Sequence, residues 1–337
     1  FEPRVADSIL KSFAAKLPNL TVRYRLRFLK AIVEARQVKG AEFLDLSTGK
    51  TVAIRARQVI DATELGDVMA SAGIPYDLGM EASEKTGERL NIPSSNDIIQ
   101  DMTYAAILKD YGPGADRTIP KPAGFDPAEF DCACSDVCSD TAKLFSKVDK
   151  RKMLDYGKLP NGKYMINWPS HGNDIYLNIV QMNDAEREIA LEKARQKTLR
   201  FVYYIQTVLG FRNLGLADDE FPTTDKLPLM AYHREGRRLR GIVRLNVNHI
   251  SAPFSQPEAL YRTGISVGDY PIDHHHRENP RAPQHLGFYP VPSYNIPLGA
   301  LIPLSMDGLV VAEKSISVSN AANGTTRLQP VVMLTGQ

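Results

Sequence analysis

Apolar positions recur at helical spacing in two stretches of this chain. Val5, Ile9, Leu10 and Phe13 predict an amphipathic helix over residues 5–16. Ile189, Leu199, Val202 and Ile205 predict a longer one over 185–209, the clearest helix in the sequence. Elsewhere the apolar runs are shorter and read as strands, at 20–33 and 40–46. Residues 51–57 alternate, with Val52 and Ile54 among polar neighbours. Val59-Ile60 is a brief apolar strand that stops at Asp61-Ala62-Thr63. From about residue 68 to 301 the pattern is irregular and rich in Pro and Gly, and Pro113, Pro120, Pro122 and Pro127 mark a long loop region. Short strands are expected at 239–247, 264–270 and 294–303.

The last thirty residues have a distinct order. An apolar strand at 309–312 runs into a turn-rich stretch at 315–326, and a small-residue helix is expected to begin at Pro330. Proline suits a first helical position, because the N–H it lacks would be unpaired there anyway. Open backbone N–H groups and the helix dipole make such a start a place for a partly anionic ring or a phosphate. The end of strand 59–61, followed by a turn, is likewise where open α/β sheets bind ligands. Asp61 reads equally well as a turn cap.

Composition changes this picture little. The chain has 337 residues, 43% of them hydrophobic and 24% charged, with a net charge of +2. That length allows one large domain or two ordinary ones. The charge gives no electrostatic argument for nucleic acid. No apolar run approaches the roughly 20 residues a membrane span needs. The three cysteines, Cys132, Cys134 and Cys138, sit in one C-x-C-x3-C stretch. A structural zinc site usually takes four ligands, so this stretch is expected to be a turn-rich loop. One disulfide with a leftover thiol, or a redox-active pair, stays open.

Several motifs occur together and in order: Phe1-Glu2-Pro3-Arg4-Val5-Ala6, the run from Gln58 to Asp67, Tyr232-His233-Arg234-Glu235-Gly236-Arg237-Arg238, Gly268-Asp269-Tyr270-Pro271-Ile272-Asp273-His274-His275, and the 307–337 segment. Together they resemble the bacterial family of FAD-dependent oxidoreductases with glutathione-reductase-like architecture, some of whose members carry the name xanthan lyase. The resemblance implies an α/β fold. A Rossmann-like FAD-binding domain would comprise 1–67 plus 302–337, with 68–301 inserted as an α+β substrate domain. It implies cofactor contacts from Phe28, Ala62, Thr63, Glu313, Arg327, Leu328 and Gln329. It further implies catalytic or substrate contacts from His275, Arg234 and Tyr270, a small-molecule substrate, and no metal. The family's opening G-x-G-x-x-G turn, which holds the FAD pyrophosphate, has no counterpart in the sequence. The chain is therefore expected to be a fragment of a longer flavoenzyme and to carry no FAD alone.

Some residues invite other readings. Glu313-Lys314 stands where the family has Gly-Arg. A glutamate there either hydrogen-bonds a ribityl hydroxyl or crowds the cofactor. Arg234, Glu235, Arg237 and Arg238 read as an ion-paired strand, or as a carboxylate-binding one. The stretch 167–174 holds the single tryptophan, Trp168, among Asn, His and Asp. It suits either a sugar-stacking platform or a packed loop. His275 can exchange protons near neutral pH with a carboxylate fixing its tautomer. The expected activity is flavin-dependent oxidation or reduction of a small polar compound, such as a sugar or uronic acid. The alternatives are a polysaccharide lyase or a carbohydrate-binding scaffold.

Overall fold

The computed structural model of the chain describes residues 1–144 and 147–337. Its first elements are helix α1 (Pro3–Ala15), strands β1 (Leu26–Glu34), β2 (Gln37–Asp45), β3 (Thr51–Arg55) and β4 (Val59–Asp61), and helix α2 (Asp67–Ser71). Then come β5 (Tyr76–Asp77), α3 (Ser83–Thr86), β6 (Ala106–Asp110), α4 (Lys150–Tyr156), β7 (Lys158–Leu159), β8 (Lys163–Ile166), α5 (Asp184–Thr207) and β9 (Leu214–Leu216). The chain ends with β10 (Arg238–Leu239), α6 (Val247–Ser251), β11 (Gly264–Gly268), β12 (Tyr294–Pro297), β13 (Leu309–Val311), α7 (Asn320–Thr326) and α8 (Gln329–Gly336). Among the described residues no helix is long and apolar enough to cross a membrane.

Packing divides the chain into two compact units, Phe1–Val22 with Asp101–Tyr232, and Arg23–Gln100 with His233–Gln337. These units do not follow the boundaries expected from motif order. Glu2 is tied to Lys163 in the first unit, whereas Arg238 ties Gly79 and Glu81 to Val318 in the second.

The first unit is built on an antiparallel sheet, β7-β8-β6-β9. The long helix α5 covers it, burying Phe201, Val202, Tyr204 and Ile205 with Leu108, Phe130 and Ile166. Asn183 and Glu186 form a reciprocal capping box that fixes where α5 starts. Below the sheet, the ammonium of Lys163, 1% exposed, is shared by Glu2 (2.7 Å), Asp219 (3.0 Å) and Glu220. The apolar stripe of α1 is present as the periodicity predicts, but Ile9, Leu10 and Phe13 are exposed in this unit.

The second unit holds the β1-β2-β3 antiparallel sheet and a parallel pair, β13 beside β4, with Leu309 opposite Val59 and Val311 opposite Asp61. The two apolar runs at either end of the sequence thus meet side by side. Leu309 and Val311 pack with Val38, Val68 and Met69. Of the strand expected at 239–247 only Leu239, the end of β10, is in a strand, and Val247 already opens α6; Arg238, Arg240 and Arg244 pair instead with Asp77, Glu81 and Glu235. The turn-rich 315–326 stretch contains a helix, α7. Its composition is poor for helix, but every residue is buried and Ser319 caps its first turn. The last helix begins one residue earlier than expected, at Gln329, with Pro330 second.

Candidate active site

The candidate site lies in the second unit, where the segment after β11 runs along α7. Thr325 Oγ1 donates to the Tyr270 carbonyl, and the Tyr294 hydroxyl lies 2.8 Å from Thr325. The Asp273 N–H donates to the Gly324 carbonyl at 3.3 Å. Side chains of an extended segment alternate, so Asp273 and His275 share one side and His274 and His276 the other. His275 Nε2 lies 3.2 Å from Asp273 Oδ2. Arg327, the C-cap of α7 and 3% exposed, donates from Nη2 to the Asp273 carbonyl at 3.0 Å and lies 3.5 Å from Oδ2.

These contacts set the charge state of Asp273. Burial pushes its carboxyl up, but the hydrogen bond and charge of His275, with Arg327 and Arg234, pull it down to about 2. An ionised aspartate holding a histidine by one ring nitrogen is the arrangement that fixes a tautomer and orients the ring. From the other side, Gln100 Oε1 accepts the His275 N–H at 3.3 Å, and Gln100 Nε2 donates to Asn323 Oδ1 at 2.9 Å.

The structure thus gathers His275, Arg327 and Arg234 about Asp273. The Tyr270 ring meets Phe288 edge-on, with centroids 6.3 Å apart, and is partly exposed. Phe28 packs edge-on against Phe43 at 6.1 Å and leans on the Val38–Met69 cluster, which makes it a packing residue of the β-sheet. Leu328 is partly buried against the core around Ile316 and Val318. Gln329 is exposed at the start of α8, which has no side-chain cap. Gln100 and Asn323 are the contributors that motif reading missed. Neither lies in a charged or aromatic pattern, and only the fold brings them to His275.

The arginines near β10 resolve as a buried ion network. Arg238 is fully buried, with Glu235, Glu81 and the carbonyls of Gly79 and Val318 around its guanidinium. Arg237 donates to the Leu65 carbonyl and to Asp67, both at 2.9 Å. In the first unit, Trp168 is no sugar platform. It is buried in the core and its Nε1 donates to the Ala133 carbonyl at 2.8 Å, because Asn173 folds the loop back on Trp168, Tyr104 and Ile166. Cys132 and Cys138 form a disulfide, and the leftover thiol of Cys134 is buried, which pushes its pKa up. Among the described residues no three His, Cys, Asp or Glu side chains are arranged to hold a metal ion.

The family described as FAD dependent oxidoreductase matches the chain over residues 1–337. The chain belongs to this family of FAD-dependent oxidoreductases. No curated protein and no solved structure matches it.

As an FAD-dependent oxidoreductase the chain should offer places for the cofactor, and the residues fit its flavin end. Ser315 Oγ is buried without a partner, Ala62 is exposed at the end of β4, and the N–H groups opening α8 are uncapped. Glu313 sits at φ 62, in the left-handed region that glycine adopts at no steric cost. Its carboxylate is engaged by its neighbour, 2.6 Å from both the N–H and the ammonium of Lys314, which also pairs with Glu64 at 3.0 Å. Burial holds the Glu64 carboxyl above its ordinary range despite Lys314. The turn after β4 is closed upon itself. Asp61 accepts from the Thr63 N–H, the Thr63 hydroxyl and the Met69 N–H at 2.6–2.9 Å, and Thr63 Oγ1 accepts the Asp67 N–H at 2.7 Å. That turn has few amides left to cradle a pyrophosphate.

Proposed function

We propose that the Asp273–His275 pair, with Arg327 and Arg234 beside it, is the substrate site of a flavin-dependent oxidoreductase acting on a small polar organic compound, a sugar or uronic acid. The observation that carries this reading is the Asp273 carboxylate, whose Oδ2 lies 3.2 Å from His275 Nε2 and 3.5 Å from Arg327 Nη2. A bound FAD supplies hydride acceptance from carbon. The chain's own residues handle the proton and the orientation. The His275 ring, oriented by Asp273, takes the proton from a substrate hydroxyl as the carbon is oxidised. Arg234 and Arg327 supply the positive charge that would attract a uronic carboxylate. Ser315, Glu313 and the α8 start at Gln329 would hold the flavin end of the cofactor.

Of the family arrangement, a partial nucleotide-binding domain of 1–67 with 302–337 and an inserted 68–301, the joining of residues 23–67 to 302–337 is part of the same proposal, while residues 1–22 pack with 101–232. The parallel pairing of β4 with β13 supports it. The test is anaerobic flavin reduction in the intact protein. His275→Ala should slow reduction by the true substrate roughly 10²-fold or more with flavin content unchanged. Unchanged reduction rates in His275→Ala would remove His275 from the chemistry. A protein that stays colourless with added FAD would overturn the whole reading.

A further inference from the structure

The other side of the same segment carries two histidines that the reading above does not use. The rings of His274 and His276 lie side by side, with centroids 5.0 Å apart. His276 is 2% exposed, and neither of its ring nitrogens has a hydrogen-bond partner. His274 Nε2 lies 3.1 Å from the Ala321 carbonyl, while its Nδ1 is buried and unpartnered. A carbonyl only accepts, so Nε2 carries the proton and Nδ1 presents a bare lone pair. The ring is seated against α7 by Gly324, where an added Cβ would stand 2.6 Å from His274 Cδ2. Both imidazoles are held neutral. Burial and neighbouring positive charge lower His274 to about 4 and His276 well below its ordinary value.

Three buried ring nitrogens without partners call for an occupant, since such groups are nearly always satisfied. The set of donors and acceptors selects its chemistry. A carboxylate only accepts, and would face the His274 lone pair. A cation would sit beside the Arg327 guanidinium with only two ligands. A hydroxyl both donates and accepts. We propose that His274 and His276 bind an uncharged hydroxyl group of a small ligand, its hydrogen on His274 Nδ1 and its oxygen accepting from the His276 ring N–H. This site is separate from the Asp273–His275 pair and stands whether or not that pair proves catalytic.

The test is ¹⁵N NMR of the histidine rings in the intact protein, with ethane-1,2-diol as probe and its dimethyl ether as control. The ether keeps the oxygens but cannot donate. The expected result is a saturable shift of the His274 and His276 ring nitrogens with the diol. The ether should bind about 10- to 100-fold more weakly, since it leaves a buried acceptor unsatisfied. His276→Phe should abolish the shift, and His276→Asn, which keeps a donor and an acceptor, should retain it. No shift with the diol would mean that only water occupies the site. Equal shifts with the ether, or displacement of the diol by Zn²⁺, would equally overturn the proposal. Comparison of the two probes on the unsubstituted protein decides the matter even if His276→Phe does not fold.

Discussion

Arg238→Met tests the buried ion network most directly. The guanidinium serves Glu235, Glu81 and the carbonyls of Val318 and Gly79 with no exposure to water. Without it, Glu235 keeps only neutral donors, the Asn320 amide at 2.9–3.0 Å and the Gln100 N–H at 3.1 Å. An uncompensated buried charge of this kind costs about 3–5 kcal/mol. Burial already holds the Glu235 carboxyl above its ordinary value, despite the Arg238 charge. For a raised folded pKa, the stability associated with the group is fully present below the unfolded value of 4.5 and lost as pH rises. The deficit of Arg238→Met should therefore shrink on acidification from pH 7 towards pH 5. Urea titration followed by hydrogen exchange of peptides spanning residues 76–82 and 314–327 reads the second unit directly. Arg238→Met/Glu235→Gln should recover much of the loss, because both charges are then gone. A single-variant loss below about 1 kcal/mol, or a double variant no better than the single, would refute the reasoning.

Other consequences are open to measurement. Asp273 falls from 3.8 to about 2 on folding, a shift worth about 2 kcal/mol. That stability is present above pH 4 and should drain away between pH 4 and pH 2, and acid titration of Asp273→Asn should lack this component. Gly324→Ala should destabilise the protein by about 1–3 kcal/mol through overpacking against His274, visible in the urea midpoint and in a shifted His274 ring signal. Lys163→Met should lower the urea midpoint of the first unit, because Glu2 and Glu220 would lose their shared cation. The single tryptophan, Trp168, lies in the same unit, so its fluorescence should report that loss.

Elements with strong local signals were legible in the sequence. Helix α5 runs Asp184–Thr207 against an expectation of 185–209, and the apolar runs that became β4 and β13 were each located. Helix α7 was not legible. Asn, Gly and Thr disfavour helix locally, and α7 forms because tertiary burial and the Ser319 cap override propensity. The strand expected at 239–247 failed for a related reason: ion pairs with distant carboxylates took the arginines out of any alternating pattern. At the site, the Asp273–His275 spacing was visible in the motif. Gln100, 175 residues from His275, was not, since no local pattern marks so distant a partner.

The shared Lys163 ammonium also constrains the order of events during synthesis. Its partner Glu2 precedes it by 161 residues, and the rest of their unit follows the 23–100 stretch that belongs to the other. At ribosomal speed Glu2 waits on the order of 10–30 s for its cation to be made. Until then helix α1 carries its apolar stripe without the partners that complete its unit. Neither unit is one continuous stretch, so no single cut separates one from the other.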